Sequence, residues 1–193
     1  MINKKIVICA VIKNEAKNIK NFFYLIKKIS NFFLDYHVII VESDSTDETY
    51  KITGNIMKNF KGKLIKTKTN INWPRTKKIS HCRNIYLKLI SSNKKIHKFD
   101  YVLVIDADNV NNQLHLKSLI TTLKDLPKNW IGVFPNQKFI YYDLYALRIK
   151  KLFDFDCFEK MISSLNLLSP NQSYFKNIFY IYFILNKFKK RFI

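Results

Sequence analysis

With 193 residues, 48% of them apolar, the chain can bury a core for one domain and is too apolar to be disordered as a whole. Its net charge of +20, from 34 Lys and Arg against 14 Asp and Glu, is spread along the sequence rather than gathered in an arm. No RNP-like, zinc-finger or helix-turn-helix pattern accompanies it, so the charge argues for polyanionic neighbours, an anionic membrane surface among them, and against specific nucleic-acid recognition.

Residues 6–12 read as a first strand. The preceding Asn3-Lys4-Lys5 imitates a signal peptide, but no small-residue cleavage site follows and Lys13-Asn14-Glu15 opens a helix instead. That helix runs from about Ala16, with Ile19, Phe22, Phe23, Ile26, Ile29 and Phe33 at helical spacing. Val38–Val41 is the second strand, ending in Glu42-Ser43-Asp44. Ser45 and Glu48 fit a capping box for a helix reaching about Asn59. Lys63–Lys66 reads as a third strand, and a helix from about Arg75 carries Ile79, Cys82, Tyr86 and Leu89 inward. Tyr101–Ile105 reads as a strand buried on both faces. A helix with Leu116, Leu119, Ile120 and Leu123 inward is stopped by Pro127, and Trp130–Phe134 reads as one more strand. Beyond about residue 150 the pattern gives helices.

Alternation of this kind argues for a parallel, doubly wound sheet, in which ligands bind at the strand carboxyl ends. The short polar residues collect there: Asn14 and Glu15 after the first strand, Glu42 and Asp44 after the second, Asp106 and Asp108 after the acid-tipped one. Spaced i, i+2, Asp106 and Asp108 point the same way, and such hard-oxygen ligands suit Mg²⁺ or Mn²⁺ holding a diphosphate. Asp106 equally fits a turn cap, with Asp108-Asn109 starting the next helix. A carboxylate at the second strand end can accept N–H groups of a nucleobase, and Arg83 can neutralise phosphate or pair with an acidic residue. Cys9, Cys82 and Cys157 form no C-x-x-C or Cys/His cluster and read as structural thiols in a reducing compartment.

The segment Ile8–Asn18 together with Val41–Thr49 resembles the opening of a GT-A glycosyltransferase, with the cryptococcal capsule-associated mannosyltransferase group as the closer likeness. Arg75–Asn84 resembles that group's Arg-rich helix, Phe99–Asn109 its metal-site strand, and Phe134–Gln137 with Tyr141–Arg148 its acceptor-side segment. The resemblance covers about residues 5–150. It implies an α/β, GT-A-like (Rossmann-like), mostly parallel sheet flanked by helices over 1–150, with a helical, basic and aromatic extension over 151–193.

The implied function is metal-dependent transfer of a sugar, mannose or another hexose, from a nucleotide-diphosphate donor to a glycan or lipid-linked acceptor. Asn14, Glu15, Glu42, Asp44 and Arg83 would bind the donor, and Asp106 and Asp108 would hold Mn²⁺ or Mg²⁺. Asp143 would orient or deprotonate the acceptor; it fits a solvated residue of a Tyr-rich turn as well. Retention and inversion both stay open.

The late Gly-rich segment and Glu-His of such relatives have no counterpart, since no Gly follows Gly132 and no His follows His115. A shortened, non-catalytic nucleotide-sugar-binding or scaffold relative is therefore the alternative expectation. Phe175–Ile193 has eight uninterrupted apolar residues, Ile178–Leu185, too few to span a bilayer. Its aromatics beside Lys187, Lys189, Lys190 and Arg191 suit either an interfacial helix or one docked on the sheet. A cytoplasmic protein with peripheral membrane contact is the expected location.

Overall fold

A computed structural model describes residues 2–108, 111, 114–127 and 132–133. The chain divides into two units, Met1–Lys128 and Asn129–Ile193, and every element below belongs to the first. In order these are β1 (Ile2–Ile12), α1 (Ile19–Ser30), β2 (Phe33–Ser43), α2 (Thr49–Met57), β3 (Gly62–Thr67) and α3 (Arg75–Ser92). A 3-10 turn (Ile96–Lys98), β4 (Tyr101–Val104) and α4 (Leu116–Asp125) follow. The four strands form one sheet in the order β3-β2-β1-β4, and all three pairings are parallel.

Ile6–Ile12 of β1 and Val38–Val41 of β2 are unbroken apolar runs because both sheet faces are covered there. On one face Ile6, Ile8, Ala10 and Ile12 join Val38 and Ile40 against Ile19, Phe22, Phe23, Ile26 and Ile29 of α1. On the other, Val7, Cys9, Ile39 and Val41 meet Cys82 and Tyr86 of α3. Each fully buried Ile contributes about 2 kcal/mol, so the apolar stripe of α1 outweighs the modest helix propensity of its Ile and Phe residues.

Four expectations change. First, α1 ends at Ser30, where the Asn31 amide donates to the Lys27 carbonyl and the Phe32 amide to that of Ile29. Phe33 opens β2, buried, with its ring 6.1 Å from that of Tyr101. Second, the capping box at Ser45 and Glu48 does not form. The helix begins at Thr49, Glu48 pairs instead with Lys51 at 2.9 Å, and Asp47 Oδ1 accepts the Thr49 amide at 3.0 Å.

Third, β4 is covered on one face only: Val102 and Val104 are 50% and 46% exposed. Among the described residues β4 pairs with β1 alone, and α3 packs over β1 and β2. Fourth, only Gly132 and Val133 of the strand expected at Trp130–Phe134 are described, and neither is in a strand. The division expected at residue 150 and the helical extension over 151–193 lie outside the described residues.

Gly62 sits where β3 leaves no room for a side chain against β2. A Cβ there would lie 2.1 Å from the carbonyl oxygen of Val38, its partner in β2. At the other edge the start of β4 is tied to β1 by Asp100, whose carboxylate accepts the Lys4 ammonium and the Lys5 amide, both at 2.8 Å. No helix among the described residues is long and apolar enough to cross a membrane.

Candidate active site

All four parallel strands end on the same side, and the polar residues expected to bind ligand sit at three of those ends. Asn14 and Asp44 follow β1 and β2 with φ of 54° and 56°, the left-handed region that Asn and Asp enter more readily than other non-Gly residues. This conformation turns the chain sharply out of each strand and exposes amides to the neighbouring loop.

Five hydrogen bonds join the loop after β1 to the loop after β2. The Asn14 amide donates to Ser45 Oγ at 3.0 Å, while Asn14 Oδ1 accepts the Thr46 amide at 2.8 Å and the Thr46 hydroxyl at 3.4 Å. The Glu15 amide donates to Thr49 Oγ1 at 2.7 Å and the Ala16 amide to Asp47 Oδ2 at 3.2 Å. Ser45 thus serves the neighbouring loop rather than its own helix. Asp44 in turn holds the loop after β3, accepting from the Thr69 hydroxyl at 2.6 Å and the Thr69 amide at 3.1 Å. Those bonds hold its carboxyl below the ordinary range; partial burial opposes this, and the charges of Lys13 and Lys78 assist.

Glu42 is not at the surface of the crevice. It is fully buried, with Oε1 accepting the Ser45 amide at 2.9 Å, while Oε2 has no hydrogen-bond partner among the described residues. Burying a carboxylate oxygen unpaired costs free energy, so this side chain is placed against the local preference for solvent. Glu15 is half-buried, and its Oε2 accepts the side-chain amide of Asn18 at 2.7 Å.

Asp106 and Asp108 are both exposed just beyond the end of β4, and they alternate with the buried Ile105 and Ala107. The backbone carbonyl of Asp106 accepts the side-chain amide of Asn111 at 2.7 Å. Tyr86 is buried on α3, in the cluster with Val7, Cys9, Ile39 and Val41. Burial pushes its hydroxyl up to about 12; the Arg83 charge opposes that shift, and Cys9 and Asp106 add to it. Arg83 itself is exposed on α3. Among the described residues no group of three or more His, Cys, Asp and Glu is gathered for a metal. The two carboxylates nonetheless fit a hard divalent ion that takes its other ligands from phosphate oxygens and water. Asp143 lies outside the described residues.

Sequence reasoning missed the roles of Thr49, Asp47 and Thr69. The first two stand in the Ser-Thr-Asp-Glu-Thr run, whose local reading as a cap hid their role between loops. Thr69 lies in a polar loop with no periodic signal.

A family model for glycosyl transferase family 2 matches residues 7–183, most of the chain. The chain belongs to that family. Its parallel sheet with flanking helices is accordingly a Rossmann-like sheet of GT-A type. Two crystal structures of S. aureus TarS 1-349 are similar to it. The one in complex with UDP-GlcNAc shares 22% identity over 63% of this chain and 31% of that chain, with a TM-score of 0.41. The other shares 20% over 74% and 40% respectively, with a TM-score of 0.40. This chain therefore spans well under half the length of those TarS chains. No curated protein matches it.

Proposed function

We propose that this member of glycosyl transferase family 2 transfers a sugar from a nucleotide-diphosphate donor held at the carboxyl ends of β1, β2 and β4. The family match across residues 7–183 carries the reading, and the exposed pair Asp106 and Asp108 at a parallel strand end supports it. In this reading Asp106 and Asp108 hold a Mn²⁺ or Mg²⁺ ion, which supplies positive charge to a donor diphosphate. Asn14, Glu15 and Asp44 shape the floor beneath the nucleoside through the loops they tie together. Glu42, buried beneath this floor, holds the Ser45 amide in place rather than meeting the base itself, and Arg83 offers the phosphates a cation. Asp143 orients the acceptor hydroxyl or takes its proton.

The sugar is a hexose such as mannose, and the acceptor a glycan or lipid-linked hydroxyl. Phe175–Ile193, with its aromatics and the four cations within Lys187–Arg191, rests on an anionic membrane that presents such an acceptor.

Hydrolysis of UDP- and GDP-linked hexoses by the full chain, with and without Mn²⁺, tests the proposal, with calorimetry of UDP and GDP alongside. Metal-stimulated turnover of one donor series is the expected result. Metal-dependent binding without turnover, even with acceptors added, would assign the shortened, non-catalytic alternative. Absence of both would overturn the reading.

A further inference from the structure

A cleft of about 760 Å³ opens between β3 and the carboxyl-terminal half of α3. Ile65, Ile85 and Leu89 give it an apolar floor, and Lys63, Lys66 and Lys88 stand around it. None of the described residues that line it is acidic. Strand β3 has a neighbour on one side only within the described sheet. A parallel strand alternates the side to which its main-chain N–H and C=O groups point, so part of that set on β3 faces away from β2.

We propose that this cleft is a docking groove for an extended acidic peptide that adds to β3 as a further strand. Its main chain would meet the outward groups of β3, and the side chains on its one inward face would be apolar against the Ile65, Ile85 and Leu89 floor and acidic against Lys63 and Lys88, which stand on that same face. Charge complementarity selects the partner's sign. The strand edge and apolar floor select a peptide over a nucleic acid, which offers neither main-chain amides nor aliphatic side chains. A second copy is disfavoured, because pairing β3 with β3 would set these lysines against one another. The inference is independent of the sugar-transfer reading.

Fluorescence anisotropy of a labelled hexapeptide Glu-Thr-Val-Thr-Glu-Thr, which sets Val between two carboxylates on one strand face, titrated with the full chain, tests it. Saturable binding is expected, at least tenfold weaker for Lys63→Glu/Lys88→Glu. A peptide with its central Val N-methylated keeps charge and side chain but loses a main-chain donor, and it too is expected to bind at least tenfold more weakly. Circular dichroism checks the variant's fold, and Lys88→Glu alone, on an exposed helix position, carries the comparison if the double variant unfolds. Lys66 is left intact because its ammonium lies 4.5 Å from the Tyr50 ring centroid. Unchanged affinity of the lysine variants or of the N-methylated peptide overturns the proposal. So does a lack of binding at millimolar peptide, or equal displacement by a single-stranded oligonucleotide of the same charge.

Discussion

Asp44 gives both carboxylate oxygens to Thr69, one to its hydroxyl at 2.6 Å and the other to its backbone amide at 3.1 Å. The contact holds the loop after β3 against the end of β2, and Asp44 makes it from a left-handed backbone with φ of 56°. Asp44→Ala loses the acceptors and puts a less tolerant residue in that conformation. It is expected to cost about 1–2 kcal/mol in urea denaturation, and Asp44→Asn less, because Asn accepts the left-handed region and keeps one acceptor.

The pH dependence follows from the same contact. The Asp44 carboxyl is held below its ordinary value in the folded state, so it binds protons less readily there than in the unfolded chain. Its contribution is therefore present above the unfolded value of about 3.9 and is lost as pH falls through the lower folded value. The stability gap between the native sequence and Asp44→Asn is expected to narrow below about pH 4. A gap that stays constant from neutral pH into acid would remove the carboxylate from this role.

For Glu42, deletion is expected to damage the fold as well as any base recognition. Glu42→Ala leaves the Ser45 amide without its acceptor and a hole in a fully buried position. The cost is put at about 2–3 kcal/mol, and Glu42→Gln, which can keep the bond to Ser45, should cost less. Nucleotide affinity is best compared between the native chain and Glu42→Gln, at a temperature where both are folded.

Opposite behaviour is expected at the end of β4. Asp106 and Asp108 are exposed, and the bond from Asn111 goes to the Asp106 backbone, which substitution leaves in place. Asp106→Asn and Asp108→Asn keep the size of the side chain at exposed positions, and both variants are expected to remain folded by circular dichroism. Calorimetry should show Mn²⁺-dependent UDP or GDP binding lost in each. A double variant that still binds with native affinity, with its fold intact, would remove the metal assignment.

Gly62→Ala tests the packing of the sheet. With a Cβ directed at the Val38 carbonyl oxygen at 2.1 Å, the strands must separate locally, and both obstructing groups are backbone. A loss of about 2–4 kcal/mol is expected, measured as a shift in denaturation midpoint.

Much of the fold is legible in the sequence because β1, β2 and α1 are specified by unbroken or 3.6-periodic apolar runs. Those patterns survive any detail of the loops. The boundaries are less legible: Phe33 satisfies the helical period of α1 and is equally at home opening β2, and only the turn at Ser30 and Asn31 decides between them. The apolar run at Tyr101–Val104 shows that a strand forms but not which faces are covered, since that depends on where α3 crosses the sheet.

At the candidate site the residue types at the strand ends were readable, yet their partners were not. Ser45 has the composition and spacing of a helix cap, and its actual partner, the Asn14 amide, stands 31 residues earlier in the chain. Thr69 meets Asp44 across 25 residues and carries no local signal at all. Burial of Glu42 follows from its place on a central strand, which the reading of its charge concealed.

The ties among the strand-end loops have a consequence for motion on the timescale of amide hydrogen exchange. The amides of Asn14, Glu15, Ala16, Ser45, Thr46 and Thr69 all donate to side chains of other residues, most of them on a neighbouring loop. Loop amides ordinarily exchange fast and independently, whereas these can open only as their partners let go. They are therefore expected to exchange as one slow cohort with a shared opening free energy, and Asn14→Gly should release the whole group together.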